Sequence, residues 1–411
     1  MIRGISWLFF QPLVKKTIFA PYYSNMKRIA FLGYHTDDNL GDPLICQTVE
    51  RIYRDMVPED TMWMPLNLRD CFKGVPMNLR NKFRKHVFVF CRKASHHSQW
   101  RLWDDLRVEM ASQSYGTLLK DADWGIAAGG GVIHYRTHDS WIGVCAFIKA
   151  CLKRNIPVVL NAVGVEGFEK NNHRCRLLSH YLSAENVKYI STRDDFSTLR
   201  QYLSGVPSKK IEKTVDPAIF CSQLFHIEKD PYSRTIGIGL IRDTIFREYH
   251  ADYDMRRLPD YYTSLCKGIE RMGYEWEFFT NGAIVDEAII PAIEDTLGRK
   301  IDVRVPHTAE ELVATIAQYK GIVSARMHSC IVAYALDIPA VAFVWNEKLT
   351  FWGKNIQKPQ NFLPVDRLDA LRALELLQTD LGKEYDAKLR KELEDGLLLS
   401  VKTAVAMLQN S

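Results

Sequence analysis

Short apolar runs alternate with longer helix-like segments along most of the chain, and this alternation constrains the fold more than any other feature. The predicted strands of the first half are RIAFLGY, DWGIAAGGG, IPVVLNAVG and VKYISTRDD. Those of the second half are TIGIGLI, YEWEFFT, IDVRV, GIVSA and PAVAFVW. Strands separated by helices pair in parallel and are covered by helices on both faces. The sequence therefore predicts an α/β protein with two Rossmann-type, doubly wound domains.

The domain boundaries follow from the chain length and from one lapse in the pattern. A chain of 411 residues is too long for one ordinary core, and the alternation lapses between Phe220 and Ser233. We expect an N-terminal domain at residues 27–225 and a C-terminal domain at residues 232–382. Apolar residues at helical spacing predict that residues 383–411 form a helix packing back across both domains.

Two segments fall outside this pattern. Residues 1–26 form a predicted N-terminal arm, aromatic and basic, whose apolar runs are too short to span a bilayer. The arm is equally compatible with packing on its own domain and with lying in a membrane interface. Residues 78–107 form a basic and aromatic insertion. It is typical of a solvated helical pair with its aromatic side chains inward; the alternative is a face that docks on an anionic membrane or a lipid-linked diphosphate.

The composition argues against several classes of protein. Nine scattered cysteines without a C-x-x-C pair predict neither a disulfide framework nor a zinc site, and they suit a reducing cytoplasm. The net charge of +5 and the lack of a recognisable motif argue against a nucleic-acid partner. His134 and His138 have helical metal-ligand spacing but no evident third ligand, so no metal is expected.

Polar residues that directly follow predicted strands are the candidate site residues, because ligands of open α/β sheets bind beyond the carboxyl ends of the strands. In the N-terminal domain they are Asn39, Asp42, Gly129, Gly130, Gly131, Arg193 and Asp194. In the C-terminal domain they are Arg242, Asn281, Arg326, His328 and Lys348. Two such sheets that face each other would place these residues around a cleft between the domains.

The cations in this set indicate an anionic ligand with more than one charged group. Arginine binds carboxylate and phosphate through a planar, two-pronged fork. Four cations follow strands, namely Arg193, Arg242, Arg326 and Lys348. His328 lies two residues from Arg326 and is a candidate proton donor at neutral pH. The alternative for His328 is a hydrogen-bonded core histidine.

The remaining candidates keep two interpretations. The Gly129–Gly131 triplet allows close backbone approach to an anion, yet it lacks the G-x-G-x-x-G spacing, and tight packing explains it almost as well. Asp42, followed by Pro43, has the pattern of a helix N-cap and equally that of a carboxylate for a sugar hydroxyl. Asp194 and Asp216 are interpreted as structural turns.

Taken in order, these motifs resemble those of the polysaccharide pyruvyl transferase family. The chain has NLGD for N-x-G-D, AAGGG for a glycine-rich loop, RDDFS for R-D-x-x-S, a following Asp216-Pro217, and RMHSCIVA for R-x-H-x-x-x-x-A, with Lys348 beyond. The resemblance covers roughly Lys27 to Trp352. One departure is Asp337, where the family usually has glycine before the residues IP, and it affects a turn rather than the chemistry.

The resemblance implies a GT-B-like fold, phosphoenolpyruvate as co-substrate, no separate cofactor, and a cyclic pyruvate ketal on a sugar as product. It implies a role in capsular, exopolysaccharide or cell-wall glycan synthesis. Catalysis would fall to His328, Arg326 and Asp42. The donor would be held by Arg193, Arg242, Arg326, Lys348, Gly130 and Gly131, and the acceptor by Asn39, Asp42 and Asn281. The acceptor is expected to be a glycan or a lipid-linked oligosaccharide.

Two other functions stay open at this point. A glycosyltransferase that uses a sugar nucleotide would share the architecture and the cation cluster, but the acidic pair that grips the ribose in many such enzymes is not evident after Lys348. A glycan-binding subunit without activity would keep the fold, and the intact Arg326 and His328 argue against it. We expect a cytoplasmic protein, with peripheral contact at the inner face of the membrane as the further expectation.

Overall fold

The computed structural model describes residues 26–98, 101–136, 139–206, 210–242, 244–245 and 257–411. Almost all of the predicted N-terminal arm and His138 lie outside these residues. The described chain forms two parallel sheets that are covered by helices on both faces. The predicted α/β class with two Rossmann-type domains is therefore confirmed.

The N-terminal sheet has the strand order β2-β1-β3-β5-β6-β7, with the short strand β4 paired to β5. Its strands are β1 (Arg28–Gly33), β2 (Met62–Asn67), β3 (Trp124–Ala128), β4 (Gly131–His134), β5 (Val158–Glu166), β6 (Val187–Thr192) and β7 (Ile211–Lys213). Its helices are α1 (Gly41–Arg54), α2 (Leu79–Ser98), α3 (Arg101–Leu118), α4 (Ser140–Leu152), α5 (His173–Leu182), α6 (Phe196–Tyr202) and α7 (Cys221–Phe225). A 3₁₀ helix at Pro217–Phe220 precedes α7.

The C-terminal sheet has the order β10-β9-β8-β11-β12-β13, which is the doubly wound pattern. Its strands are β8 (Thr235–Gly239), β9 (Glu275–Phe279), β10 (Val303–Arg304), β11 (Gly321–Ser324), β12 (Ala340–Val344) and β13 (Phe362–Pro364). Its helices are α8 (Arg257–Arg271), α9 (Ile290–Leu297), α10 (Ala309–Ala317), α11 (Met327–Ala335), α12 (Glu347–Asn355), α13 (Ala370–Asp380) and α14 (Ala387–Gln409). Short 3₁₀ helices lie at Ile284–Ile289, Pro359–Asn361 and Val365–Arg367.

The central strands form because their residues are apolar on both faces. Every residue of β3 is buried, and so is nearly every residue of β5. A strand in a parallel sheet is covered on both sides, so it has a continuous apolar run rather than an alternating one. The sequence pattern missed four strands. Of these, β2, β7 and β13 are partly exposed and have weaker apolar runs, and β4 is a four-residue strand that begins within the glycine triplet.

Helix α14 joins the two domains, although it follows the C-terminal domain in the chain. Its buried Ser400 hydroxyl lies 3.0 Å from the Oγ of Ser191 on β6, and 2.9 Å from the hydroxyl of Tyr189. The side-chain amide of Asn161 on β5 donates to the same Ser400 oxygen at 3.0 Å. The C-terminal helix therefore packs back on the N-terminal sheet, as predicted.

The predicted insertion at residues 78–107 lies in the crossover from β2 to β3, which contains the helices α2 and α3. The second helix, α3, runs on to Leu118 and packs against α4. The side chain of Arg107 is buried and forms ion pairs with Asp104 and Asp139. Residues of this stretch therefore belong to the core of the domain. The expectation that all its aromatic side chains face inward is wrong, because Phe83 and Phe90 are exposed.

Two further features bear on the expected setting of the protein. All nine cysteines are buried and free. Within the described ranges, every helix is either too short or too polar to cross a lipid bilayer.

Candidate active site between the two sheets

A cavity of about 340 Å³ lies between the carboxyl ends of the two sheets. The strand order reverses between β1 and β3 in one sheet and between β8 and β11 in the other. At such a switch point the connections leave to opposite faces of the sheet and open a crevice for a ligand. The loops after these four strands meet across the cavity, so the fold brings two crevices together into one cleft.

The structure brings nearly all of the predicted site residues to this cavity. Those that line it are Asn39, Asp42, Gly131, Arg193, Arg242, Asn281, Arg326, His328 and Lys348. Gly130 has a packing role instead, because a Cβ on it would lie 2.5 Å from the ring of Tyr34. Gly129 and Gly130 both have positive φ angles, of 63° and 65°, which favours glycine at this turn.

Arg326 lies at the start of α11 and is held in place by a buried carboxylate. Its Nε donates to Oδ2 of Asp286 at 2.8 Å, and its Nη2 donates to Oδ1 of the same carboxylate. Asp286 is fully buried and also accepts the backbone N–H of Arg242 at 3.0 Å. This two-pronged pair fixes the plane of the guanidinium and leaves its Nη1 edge for a ligand.

His328 lies two residues further along the chain and is held between the two domains. A Cβ on Gly41 of α1 would lie 2.0 Å from His328 Nδ1, so the imidazole rests directly on the glycine of the NLGD motif. On its other side, His328 Nε2 lies 3.7 Å from Oδ2 of Asp216. Gly41 and Asp216 belong to the N-terminal domain, so His328 takes this position only when the two domains are in contact.

Asp216 is the centre of a buried charge cluster beneath the cavity. Its carboxylate bonds Nη1 of Arg193, and both side chains are only 3% exposed. Burial alone would raise the pKa of Asp216, but Arg193 and His328 outweigh it and hold the pKa below its usual value. Asp194 lies 3.9 Å from Arg193 and accepts the backbone N–H of Val165 at 3.2 Å. Asp216 is thus an anion beside His328 as well as a turn residue.

Lys348 lies in the first turn of α12 and reaches across to the other domain. Its Nζ lies 3.2 Å from Oε2 of Glu166, the last residue of β5, and Asn346 donates to Oε1 of Glu166 at 3.0 Å. Burial would raise the pKa of Glu166, but Lys348 outweighs it and the pKa is lowered. A Cβ on Gly131 would lie 2.9 Å from the same Nζ, so the glycine-rich loop leaves room for the lysine.

The N-terminal rim of the cavity carries acidic side chains. Helix α1 begins at Gly41 with Leu40 in the N-cap position, so the prediction that Asp42 caps this helix is wrong. The Asp42 carboxylate instead accepts a hydrogen bond from Asn39 Nδ2 at 3.2 Å and lies at the cavity. Asp37 pairs with Arg69 at 2.6 Å. Carboxylates at this rim suit sugar hydroxyls, which donate hydrogen bonds to them.

Asn281 links the rims of the two domains. Its backbone carbonyl accepts the N–H of Leu40 at 3.0 Å, and its side-chain oxygen accepts the hydroxyl of Ser329 at 2.5 Å. A Cβ on the adjacent Gly282 would overlap Leu40. The loop after β9 and the NLGD loop therefore contact each other closely.

In the part of the chain that the structure describes, no three His, Cys, Asp or Glu side chains lie close enough together to hold a metal ion. His134 has a different role, since its Nε2 lies 2.9 Å from the hydroxyl of Ser140 at the wall of the cavity.

Sequence reasoning missed several residues of this site. Glu166 ends a strand and the strand-end rule could have found it, while Asp216 was noticed but interpreted as a turn. Asp286 comes from a 3₁₀ helix that does not directly follow a strand, and it carries no local signal. Other missed side chains at the cavity include Tyr34, Asp37, Asp38, Arg69, His134, Trp345 and Asn346.

The fold and the cleft define the protein as a GT-B-type α/β protein with a strongly charged site between its domains. A family model described as polysaccharide pyruvyl transferase matches residues 39–347, which is most of the chain and includes every residue of the cleft discussed above except Tyr34, Asp37, Asp38 and Lys348. The chain belongs to the polysaccharide pyruvyl transferase family.

Solved structures show the same fold at low sequence identity. UDP-GlcNAc 2-epimerase from Neisseria meningitidis, bound to UDP-GlcNAc, has a TM-score of 0.53 at 12% identity, over 94% of this chain and 100% of that chain. The enzyme from Methanocaldococcus jannaschii, in complex with UDP-GlcNAc and UDP, has a TM-score of 0.54 at 13% identity, with the same coverage. Comparison with curated proteins finds no match. The likeness to the epimerases concerns the fold alone.

Proposed function

We propose that the protein transfers pyruvate from phosphoenolpyruvate to two hydroxyls of a glycan and forms a cyclic ketal. The observation that carries this proposal is the imidazole of His328, set between the anion Asp216 and a cleft that also holds the guanidinium of Arg326. Phosphoenolpyruvate has two anionic groups and one carbon that must gain a proton. The cleft offers cations for the first and an imidazole for the second.

The cations of the C-terminal rim bind the donor. Arg326 is fixed by Asp286 and presents its remaining edge to the carboxylate of phosphoenolpyruvate. Arg242 and Lys348 bind the phosphate. Lys348 exchanges Glu166 for the phosphate as the donor enters. Arg193 acts mainly by holding Asp216, because its guanidinium is almost fully buried against that carboxylate. The glycine loop beside Lys348 leaves room for the phosphate.

His328 supplies the proton in the first chemical step. The carboxylate of Asp216 places a negative charge 3.7 Å from Nε2 of the imidazole. The proton passes from His328 to the methylene carbon of phosphoenolpyruvate, which becomes the methyl group, and the positive charge develops at the neighbouring carbon. A sugar hydroxyl then forms a C–O bond to that carbon and loses its proton to Asp42. The product of this step is a tetrahedral adduct that still carries the phosphate.

The second step closes the ring. The C–O bond to the phosphate breaks, and a second hydroxyl of the same sugar forms the second C–O bond of the ketal. Its proton leaves with inorganic phosphate, while the proton held by Asp42 returns to His328. Cations beside the phosphate stabilise the negative charge that develops on the leaving group. This scheme needs phosphoenolpyruvate as co-substrate and uses no cofactor.

The acceptor binds at the acidic rim of the N-terminal domain. Asn39 and Asp42 form a hydrogen-bonded pair there, and Asn281 approaches from the other domain. Carboxylate and amide oxygens accept hydrogen bonds from the hydroxyls of a sugar. This division of charge separates a cationic donor side from an acidic acceptor side. An oligosaccharide of capsular, exopolysaccharide or cell-wall synthesis, free or lipid-linked, fits such a rim.

Thermal unfolding with and without ligands tests this function. A ligand that binds the folded state raises the melting temperature by mass action. We expect a rise with phosphoenolpyruvate that is lost in Arg326→Ala, and release of phosphate only when an acceptor glycan is present. Arg326→Lys keeps a cation beside Asp286 and controls for misfolding, and Arg372→Ala, an exposed arginine on α13, is the matched control.

Three outcomes would contradict the proposal. A rise in melting temperature with a sugar nucleotide but none with phosphoenolpyruvate would indicate a glycosyltransferase. Glycan binding without phosphate release would indicate a binding subunit. Near-normal turnover in His328→Ala would remove the assigned proton donor.

A further inference from the structure

Helix α2 has a buried face that packs on the protein and a largely exposed face. Asn81 and Cys91 are buried, and Phe88 on the same face packs edge-on against Phe72 at 5.6 Å. The opposite face carries Leu79, Phe83 and Phe90, which are 85%, 67% and 61% exposed, and the ring of Phe90 also lies edge-on to Trp103 of α3 at 5.7 Å. Their spacing of four and seven residues places them on one stripe of the helix.

Basic side chains border this apolar stripe. Arg80 lies on one side of it and Lys82 on the other, and Lys85 lies further round the helix beyond Lys82; all three are exposed. Between Asn78 and Trp103 the sequence contains seven lysine or arginine residues, at positions 80, 82, 84, 85, 92, 93 and 101, and neither aspartate nor glutamate. An exposed helix with a phenylalanine stripe and an exclusively cationic border is complementary to a surface that is apolar inside and anionic outside.

We propose that α2 docks this protein on an anionic lipid membrane, with the stripe of Leu79, Phe83 and Phe90 in the interface. The lysines and arginines beside the stripe would extend their charged ends to the lipid headgroups. This inference goes beyond the proposed reaction and is independent of the identity of the donor.

Charge argues against the other occupants of this face. A second copy would present the same cationic helix in a two-fold contact, so like charges would oppose each other. The N-terminal arm contains Arg3, Lys15 and Lys16 and no acidic residue, so it has no charge attraction to α2. An anionic membrane provides an apolar layer for the phenylalanines and negatively charged headgroups for the lysines.

The docking helix begins close to the acceptor rim. Arg69, which lines the cavity, pairs with Asp37, and Lys73 Nζ lies 3.3 Å from the Thr36 hydroxyl of the same loop. Only five residues separate Lys73 from Leu79 at the start of α2. A membrane on α2 would therefore lie near the acidic rim and favour an acceptor that is attached to a lipid.

Vesicle sedimentation of the full chain tests this docking. We expect binding to phosphatidylcholine vesicles that contain phosphatidylglycerol, no binding to pure phosphatidylcholine, and release at high salt. Phe83→Ser with Phe90→Ser should weaken binding about tenfold or more. The matched control is Leu371→Ser with Leu399→Ser, two side chains that are 60% and 63% exposed on other helices.

A second pair of variants isolates the charge. Lys82→Glu with Lys85→Glu should abolish binding, whereas Lys388→Glu with Lys391→Glu, which changes the net charge equally at exposed positions of α14, should retain most of it. Phosphate release with a soluble acceptor, measured without vesicles, should stay at the wild-type level in all four variants and shows that they are folded.

Four results would overturn the inference. If the wild-type protein does not bind anionic vesicles, or if it binds pure phosphatidylcholine equally well, α2 is not a docking surface for anionic lipid. Binding that survives the α2 variants belongs to another part of the chain. A wild-type dimer that Phe83→Ser with Phe90→Ser converts to monomer, without vesicle binding, would mean that the face joins two copies. Since phosphate release is read separately, failure of docking and failure of the proposed reaction are distinguishable.

Discussion

The imidazole of His328 depends on residues that are far from it in the chain. Gly41 provides the flat surface on which the ring rests, and Asp216 provides the negative charge beside Nε2. Arg193 in turn stabilises the anionic form of Asp216. Glycine is therefore needed at position 41 of the NLGD motif because a side chain would collide with the imidazole. Its backbone angles do not require glycine, since its φ is not in the left-handed region.

Gly41→Ala tests this contact. The new methyl group would lie 2.0 Å from His328 Nδ1, so the imidazole must move or the domains must separate. We expect turnover to fall about 100-fold, because displacement of a reacting group by about 1 Å has that effect. Gly396→Ala, on α14 with open space around it, is the control and should raise stability by about 0.5–1 kcal/mol. Unchanged turnover in Gly41→Ala would contradict the assigned position of His328.

Asp216→Asn separates an electrostatic role from a purely structural one. The negative charge beside His328 Nε2 is lost, so kcat of the folded variant should fall about tenfold or more. The variant should also be less stable, because Arg193 stays buried without its partner. Because the pKa of Asp216 is held below its ordinary value of 3.8, this loss of stability should be full above about pH 4 and shrink at lower pH. The measurements are kcat and denaturant unfolding at several pH values, and a wild-type kcat in the folded variant would mean that Asp216 only holds Arg193.

Among the elements, α3 and α4 show how a crossover helix is tied to its neighbour. Glu109 on α3 accepts hydrogen bonds from Lys149 at 2.6 Å and Lys153 at 3.3 Å, which lie on and just after α4. Burial would raise the pKa of Glu109, but the hydrogen bonds from Lys149 and Gln113 outweigh it and lower the pKa to about 2. The ionised carboxylate therefore contributes to the packing of α3 on α4.

Glu109→Gln tests whether the ionised carboxylate raises the free energy of unfolding. The folded pKa of about 2 lies below the ordinary value of 4.5, so the stabilisation is full above pH 4.5 and is lost as the pH falls towards 2. We expect the variant to be less stable by about 1 kcal/mol at pH 7, since the pair is partly exposed to solvent. Denaturant unfolding at pH 7 and pH 3 measures the difference, which should shrink at the lower pH. A constant difference would contradict the ion-pair explanation.

At the scale of the whole molecule, the two sheets share one hydrophobic core. The contiguous core that contains Ile29 of β1 also contains Cys330 of α11 and Leu397 of α14. A second, smaller core lies within the C-terminal domain alone. Because the N-terminal sheet is buried under helices of the C-terminal half, the two domains are expected to unfold together.

Calorimetry with a substitution on α14 tests this coupling. We expect one unfolding transition for the wild type. Ser400→Asp places an unpaired carboxylate where the Ser400 hydroxyl now bonds Asn161 and Tyr189, and should lower stability by about 3 kcal/mol or more. In this variant the single unfolding transition should shift to a lower temperature without splitting into two. The neighbouring Leu399→Asp, at an exposed position, should change little. Two resolved transitions would show that the domains unfold separately.

The sequence by itself determined the class of fold and most of the candidate site. Strands and helices are recognised from local periodicity, and their carboxyl ends predict where ligands bind, so Arg326, His328 and Lys348 could be named in advance. The weaker strands β2, β7 and β13 were missed, because partly exposed edges have short apolar runs. The outward direction of Phe83 was also missed, since α2 is apolar on two faces and periodicity does not tell which one is buried.

Only the tertiary structure decided which partner each of these side chains has. Asp286 fixes Arg326, Asp216 lies beside His328, and Glu166 pairs with Lys348, each from a distant part of the chain. A buried charge must find an opposite charge within a few ångströms, and that neighbour is set by how the two sheets face each other. Local sequence patterns report the propensity of a segment, whereas these pairs depend on the closure of one domain on the other.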